Sequence, residues 1–191
     1  MKKSILTLLT FIPFLSFGQS QFNLTENGFV GSDTTLKYNV YTYSNAKKET
    51  LYKKALIYLS SIYNNPDKVL TKIDGESIII NAIDVSSIKD DKLTWYIYQI
   101  DYNIVIQFKD GRVKIEPYIK RLTEDNTIKT VNQIYLKSSD SPKPVEIDAI
   151  FIKNEGRKGY FLYKKSIKNS IDNWINSFVF NLDRELKKND W

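Results

Sequence analysis

Two segments, Ser44-Asn45-Ala46-Lys47 and Ser86-Ser87-Ile88-Lys89, have the S-x-x-K spacing. In penicillin-recognising enzymes that spacing sets a serine nucleophile and a lysine one helical turn apart. The companion S-D-N and K-T-G elements are missing, and a lysine-rich chain produces such matches by chance. Ser44 therefore reads as a helix cap and Lys47 as a solvated residue. Acid–base chemistry by two carboxylates needs acidic side chains that converge in a cleft, one of them raised in pKa by burial. Asp90 and Asp91 lie side by side in a lysine-flanked loop, and Asp101 and Glu116 share an exposed polar strand face, so neither pair meets that need. Calcium coordination by oxygen ligands calls for several acids in one short loop. Thr123-Glu124-Asp125-Asn126 comes nearest and lacks the number and spacing, so no metal site is assigned.

The chain has no cysteine and no histidine. That removes Cys and His nucleophiles, the Ser-His-Asp triad, Cys/His zinc sites, haem ligation by those residues and disulfides. No catalytic residue and no cofactor is assigned. The side chains left with recognition chemistry are aromatic rings and amides. Strand parity places Tyr41, Tyr43, Trp95 and Tyr118 on one sheet face among Asn39, Gln99, Asn103 and Gln107. Rings that stack, beside amides that fix orientation, suit sugars or extended peptides. The candidate ligand-binding set is Tyr41, Tyr43, Trp95, Gln99, Asn103 and Tyr118. In the competing reading, residues 123–160 fold back over this face and turn its aromatics into a second small core.

The elements that must position these groups follow from periodicity. Leu36, Tyr38, Val40 and Thr42 alternate with Lys37, Asn39, Tyr41 and Tyr43, which predicts a strand. Ser44-Asn45 then offers a helix cap, and Leu51, Ala55, Tyr58, Leu59 and Ile62 recur at helical spacing until Asn64-Asn65-Pro66. Apolar runs at 69–73 and 77–83 flank Asp74-Gly75, a pair suited to a type I′ hairpin turn. In the longest strand signal, 93–109, every even position from Tyr96 to Phe108 is apolar, whereas Gln99, Asp101, Asn103 and Gln107 fall at odd positions.

Asp110-Gly111 is a second turn signal, and it predicts a register. Phe108 pairs with Val113, Ile106 with Ile115, Ile104 with Pro117 and Tyr102 with Ile119, all on one face. On the other face Gln107 pairs with Lys114, Val105 with Glu116, Asn103 with Tyr118 and Asp101 with Lys120. Pro117 then implies either an edge strand or an interruption of the outer pairing. Residues 127–136 are weakly strand-like, 138–144 read as a loop, and 145–152 as a short strand or one helical turn. Ile167, Ile171, Trp174, Ile175, Phe178, Leu182 and Leu186 form a helical stripe across about 162–187.

At 191 residues and 22.3 kDa, with 42% hydrophobic and 26% charged residues, the chain has the length for one domain with a real core. Met1-Lys2-Lys3 followed by an apolar run from Ile5 to Phe17 and then Gly18-Gln19 has the layout of a secretory signal peptide. The run contains Pro13 and is shorter than the roughly 20 residues of a spanning helix, so no membrane anchor is expected after processing. The expected organisation is a signal peptide over 1–18, a flexible lead-in over 19–35 and one α+β domain over 36–191. Without Lys2 and Lys3 the 28 basic residues become 26 against 22 acidic ones, a net charge of +4. These charges are scattered along the chain, which suits solubility or an anionic envelope better than nucleic acid.

The order is β-α-β-β-β-β-α, an antiparallel sheet with two helices on one face. This order, the export signal and the turn Lys109-Asp110-Gly111-Arg112 resemble a family of exported Bacteroidota proteins, a domain of unknown function with a fold like the TATA-box-binding protein. The resemblance covers roughly 36–122 and, more loosely, 162–186. It implies the TBP-like fold and export, and no activity, cofactor or catalytic residue. Nucleic-acid binding, by analogy with the namesake of the fold, conflicts with export. The reading is an exported, periplasmic or envelope-associated, non-enzymatic module that binds a protein, peptide or glycan through its open sheet face or by strand addition at an edge. Asn and Lys along the first two strands could instead protect that edge. The alternative is an envelope hydrolase that uses carboxylates or Ser/Lys.

Overall fold

Alternation along 93–109 and the turn at Asp110-Gly111 place the two longest strands side by side at the centre of the sheet. A computed structural model describes residues 21–89, 95–125, 131–137, 149–153 and 159–188, without the side chains of 86–89, 95, 96, 125, 131, 132 and 161. Its elements are β1 (Asn23–Thr25), β2 (Gly28–Val30), β3 (Asn39–Thr42), α1 (Lys48–Ile62), α2 (Pro66–Val69), β4 (Leu70–Ile73), β5 (Ser77–Lys89), β6 (Trp95–Lys109), β7 (Arg112–Asp125), β8 (Val131–Lys137), β9 (Ala149–Lys153), β10 (Tyr160–Leu162) and α3 (Lys165–Lys187). The expected signal peptide lies outside the described residues, as do Asp90-Asp91 and the 138–144 loop.

The main sheet runs β10-β9-β8-β7-β6-β5-β4, and β3 also pairs with β7. Its pairs are antiparallel except β8 with β9. Tyr98, Ile100, Tyr102, Ile104, Ile106 and Phe108 are all buried, as the even-position alternation requires. Both helices cover that face: Tyr52 of α1 meets Phe108 edge-on at 5.5 Å, and Trp174 of α3 meets Tyr102 at 4.7 Å. Each large apolar side chain so buried contributes about 1.5–3 kcal/mol.

The predicted register of β6 against β7 holds from Lys109↔Arg112 to Tyr102↔Ile119. A shift follows, and Asp101 pairs with Arg121 instead of Lys120. Lys120 is the extra residue of a β-bulge, which moves the buried positions of β7 from odd numbers to even, so Leu122 faces the core. Pro117 sits in a gap in the outer pairing of β7, between the pairing with β3, which reaches Ile115, and the pairing with β8, which begins at Leu122. Its missing N–H therefore costs the ladder nothing.

Three local expectations are corrected. A type I′ turn at Asp74-Gly75 needs positive φ at both central residues, yet of the two only Gly75 has it, at 64°. At Asp74 the loop also widens to three residues, because Ile73 pairs with Ser77. Ser44 does not cap α1, whose N-cap position is Lys47 with no side-chain bond. Instead the Lys48 N–H donates to Oδ1 of Asp110 at 2.9 Å, so the β6–β7 turn caps the helix from a distance. Two backbone bonds of 2.8 Å, Tyr43 N–H to Gly111 O and Gly111 N–H to Ala46 O, dock that turn. Finally, the stretch read as a flexible lead-in contains the β1–β2 hairpin. Phe22, Leu24 and Phe29 are buried, and α3 accepts its backbone, with Phe22 N–H on Asn176 Oδ1 at 2.8 Å and Leu24 N–H on Asp172 Oδ1 at 2.7 Å.

The weakly strand-like stretch 127–136 contains the start of β8, and the 145–152 stretch overlaps the strand β9, so the sheet extends beyond the strands of the expected order. Within residues 123–160, the described strands β8 and β9 join the sheet edge to edge and do not lie over its open face.

Candidate functional site

The face away from the helices is built from odd positions of β5 and β6 and from the β7 residues paired with them. One cross-strand row runs Asn81, Asn103, Tyr118, the next Ile83, Asp101, Arg121, and the third Val85, Gln99, Thr123. Tyr118 is 62% exposed, and Gln99 beyond it is exposed as well. Asn103 is half-buried, and its Nδ2–H donates to Asn81 Oδ1 at 2.9 Å. The Lys120 ammonium reaches across β6 to the same oxygen, also at 2.9 Å. Lys120 is the bulge residue and stands outside the β6–β7 pairing. Asp101 and Arg121 form an open ion pair at 3.8 Å, worth little in free energy at this exposure. Ile83, Val85 and Ile97 stand 61%, 60% and 42% exposed around these polar groups.

Gln99, Asn103 and Tyr118 share the open face, as the parity of β6 and β7 predicts, with Asn103 paired directly to Tyr118 and Gln99 two rows away. The backbone of Trp95 continues β6 opposite Lys89, and its side chain lies outside what is described. Tyr41 and Tyr43 are corrections. Tyr41 pairs with Val113 on the core face, and the two rings are only 8% and 7% exposed. The alternation in β3 is as expected, but its faces are reversed: Val40 faces solvent at 46% exposure while Asn39 is buried. Asn39 occupies a core position because its amide is spent on backbone, with Oδ1 accepting from Ser32 N–H at 2.9 Å and Nδ2–H donating to Gln21 O at 3.3 Å.

The Tyr43 hydroxyl donates to buried Asp183 Oδ1 at 2.9 Å, and Lys187 holds Oδ2 at 2.6 Å. Burial pushes the Tyr43 phenol pKa up, and Asp183 adds to the rise. Burial likewise raises Tyr41, to about 12. Over this cluster lies a cleft of about 310 Å³, lined by Thr42, Ser44, Lys54, Lys187 and Lys188 among others. Lys54 donates to the Lys188 carbonyl, as cations at a helix C-terminus commonly do. Among the described residues no three acidic side chains gather as a metal site requires.

Sequence reasoning missed Asn81, Ile83, Val85 and Lys120. The run from Ile78 to Ile83 is apolar but for Asn81, which hides its two faces, and the Lys120 bulge has one trace only, the change from odd to even apolar positions between Ile119 and Leu122.

Residues 38–118 match the family model for a domain of unknown function (DUF4468) with TBP-like fold. The fold is TBP-like. A TBP-like protein from Parabacteroides distasonis superposes on this domain with a TM-score of 0.55 at 9% identity, covering 80% of this chain and 92% of that one. A DUF4468 family protein from Bacteroides ovatus gives 0.51 at 9% identity, covering 80% and 86%. No curated protein matches the chain. At such identity the likeness concerns the fold of the TBP-like domain alone, which agrees with the resemblance drawn from its strand order and turn.

Proposed function

We propose that this TBP-like domain is an exported, non-enzymatic binding module of the envelope that takes a protein or peptide partner on its open sheet face. The observation that carries the reading is the exposed Tyr118 ring beside the Asn103–Asn81–Lys120 hydrogen-bonded chain, with Ile83 and Val85 open to solvent on the same face, two strands across on β5. An aromatic anchor on a face that also presents oriented amides and aliphatic groups suits a protein-recognition surface. With Tyr41 and Tyr43 in the core, the remaining apolar groups are largely aliphatic, and this favours peptide over glycan. Export is supported by the layout of residues 1–18, and a non-enzymatic role by the absence of histidine and cysteine.

The test is native purification of the tagged mature chain from its own envelope, beside Tyr118→Ala and Asn103→Ala variants. A protein that accompanies the parent and is depleted at least tenfold with Tyr118→Ala supports the reading. Equal recovery with parent and variants contradicts it.

A further inference from the structure

We propose that the free edge of β5, from Ile83 onward, receives an extended segment of a partner protein as an added strand, one with apolar residues at alternate positions and a basic residue between them. The inference rests on the reading of the open face as a recognition surface and names the geometry of recognition. β4 pairs only with Ser77 to Ile80, while β6 pairs with β5 all the way to Lys89. Among the described residues, the outer edge of β5 beyond Ile80 has no strand partner.

Which main-chain groups face outward follows from one bond. The Val85 N–H donates to Asp84 Oδ1 at 2.8 Å and so points away from β6. Main-chain direction repeats every two residues along a strand, so Ile83 also presents its N–H and C=O outward. Ile83 thus offers its N–H and C=O to an incoming strand and Val85 its C=O, the Val85 N–H being held by Asp84 Oδ1, and the side chains of both stand 61% and 60% exposed on the open face. An added strand would lay its own alternate side chains beside Ile83 and Val85, the usual source of specificity in strand addition.

The helix-side face of the same edge selects the intervening residue. Asp84 points there, half-buried, with Oδ2 accepting the Trp174 Nε1–H at 2.9 Å, and this bond fixes the carboxylate at the edge. A basic residue of the incoming strand would meet it. Self-association is disfavoured by the same carboxylate. The two-fold register that sets Ile83 opposite the partner copy's Val85 also sets Asp84 opposite Asp84, and like charges directly opposite are destabilising.

The probes are capped nonapeptides with valine at alternate positions and Lys, Thr or Glu between them, titrated into the ¹⁵N-labelled mature chain up to millimolar concentration. The lysine peptide should shift the Ile83 and Val85 amides and bind at least tenfold more tightly than the glutamate peptide. N-methylation at alternate peptide amides should abolish binding, and Ile83→Lys, at an exposed side chain, should weaken it at least tenfold while the fold persists. Equal binding of the N-methylated peptide, no shift with any peptide, or a concentration-dependent dimer formed through β5 overturns the proposal. Competition during envelope recovery separates this idea from the face reading: a partner lost with Tyr118→Ala but not displaced by an excess of the lysine peptide leaves the face standing and removes the edge.

Discussion

Replacing Tyr43 by Phe deletes one oxygen and tests which way β3 faces. In the native fold the hydroxyl donates to Asp183 Oδ1 at 2.9 Å, and Asp183 is 6% exposed. A hydrogen bond to a charged acceptor is worth about 1.5–3 kcal/mol. Because Lys187 still holds Oδ2 at 2.6 Å, the carboxylate keeps a partner and the larger penalty of an orphaned buried charge does not arise. The expected loss is therefore about 1.5–3 kcal/mol, or roughly 3–12 °C in Tm for a domain of this size. Urea unfolding followed by tryptophan fluorescence would measure it, with Tyr118→Phe as the control at an exposed ring, expected within about 0.5 kcal/mol of the parent. In a cycle with Asp183→Asn, the two changes should be non-additive. A Tyr43→Phe protein as stable as the Tyr118→Phe control would refute the placement of Tyr43 under α3.

Three further outcomes follow from the packing. Asp110→Ala removes the cap on the Lys48 N–H and should cost about 1 kcal/mol in urea unfolding, whereas Ser44→Ala should cost almost nothing. Gly31→Ala should destabilise by about 1–3 kcal/mol, since a Cβ there would sit 2.4 Å from Asn39 Oδ1 and 2.5 Å from the Tyr38 carbonyl; an unchanged urea midpoint would contradict this contact. Burial raises Tyr41 to about 12 and also raises Tyr43, Tyr63 and Tyr102, so above pH 10 the unfolded chain releases phenol protons that the native state retains. Stability should hold up to about pH 10 and then fall by at most about 1.4 kcal/mol per pH unit per tyrosine, less where solvent reaches the ring; a urea midpoint flat through pH 12 would rule this out.

What was legible in the sequence is the part governed by period-2 alternation and two turn dipeptides. Matching apolar residues from Phe108–Val113 to Tyr102–Ile119 defined the central register because a one-residue slip would have turned the whole set to solvent. Legibility ended where one residue breaks the period, at Lys120. Alternation also shows that a strand has two faces without saying which is buried. Along 38–43 tyrosines fall at both parities, Tyr38 on one and Tyr41 and Tyr43 on the other, and buried Asn39 resembles a surface residue until its backbone partners are known. The β1–β2 hairpin was invisible for another reason: its strands have three residues each, too few for a period to show. The site divides in the same way, with Gln99, Asn103 and Tyr118 following from register, and Asn81 and Lys120 joining them through tertiary hydrogen bonds.

The measurement closest to the central claim is photo-crosslinking in the intact envelope, with a benzophenone side chain in place of Tyr118 and, in a second strain, in place of Ile57. Ile57 is equally exposed, at 62%, but lies on the helix layer. A partner docked on the open sheet face should give a discrete protein adduct from position 118 and none from position 57. An adduct from position 57 alone, or none from position 118, would contradict that docking.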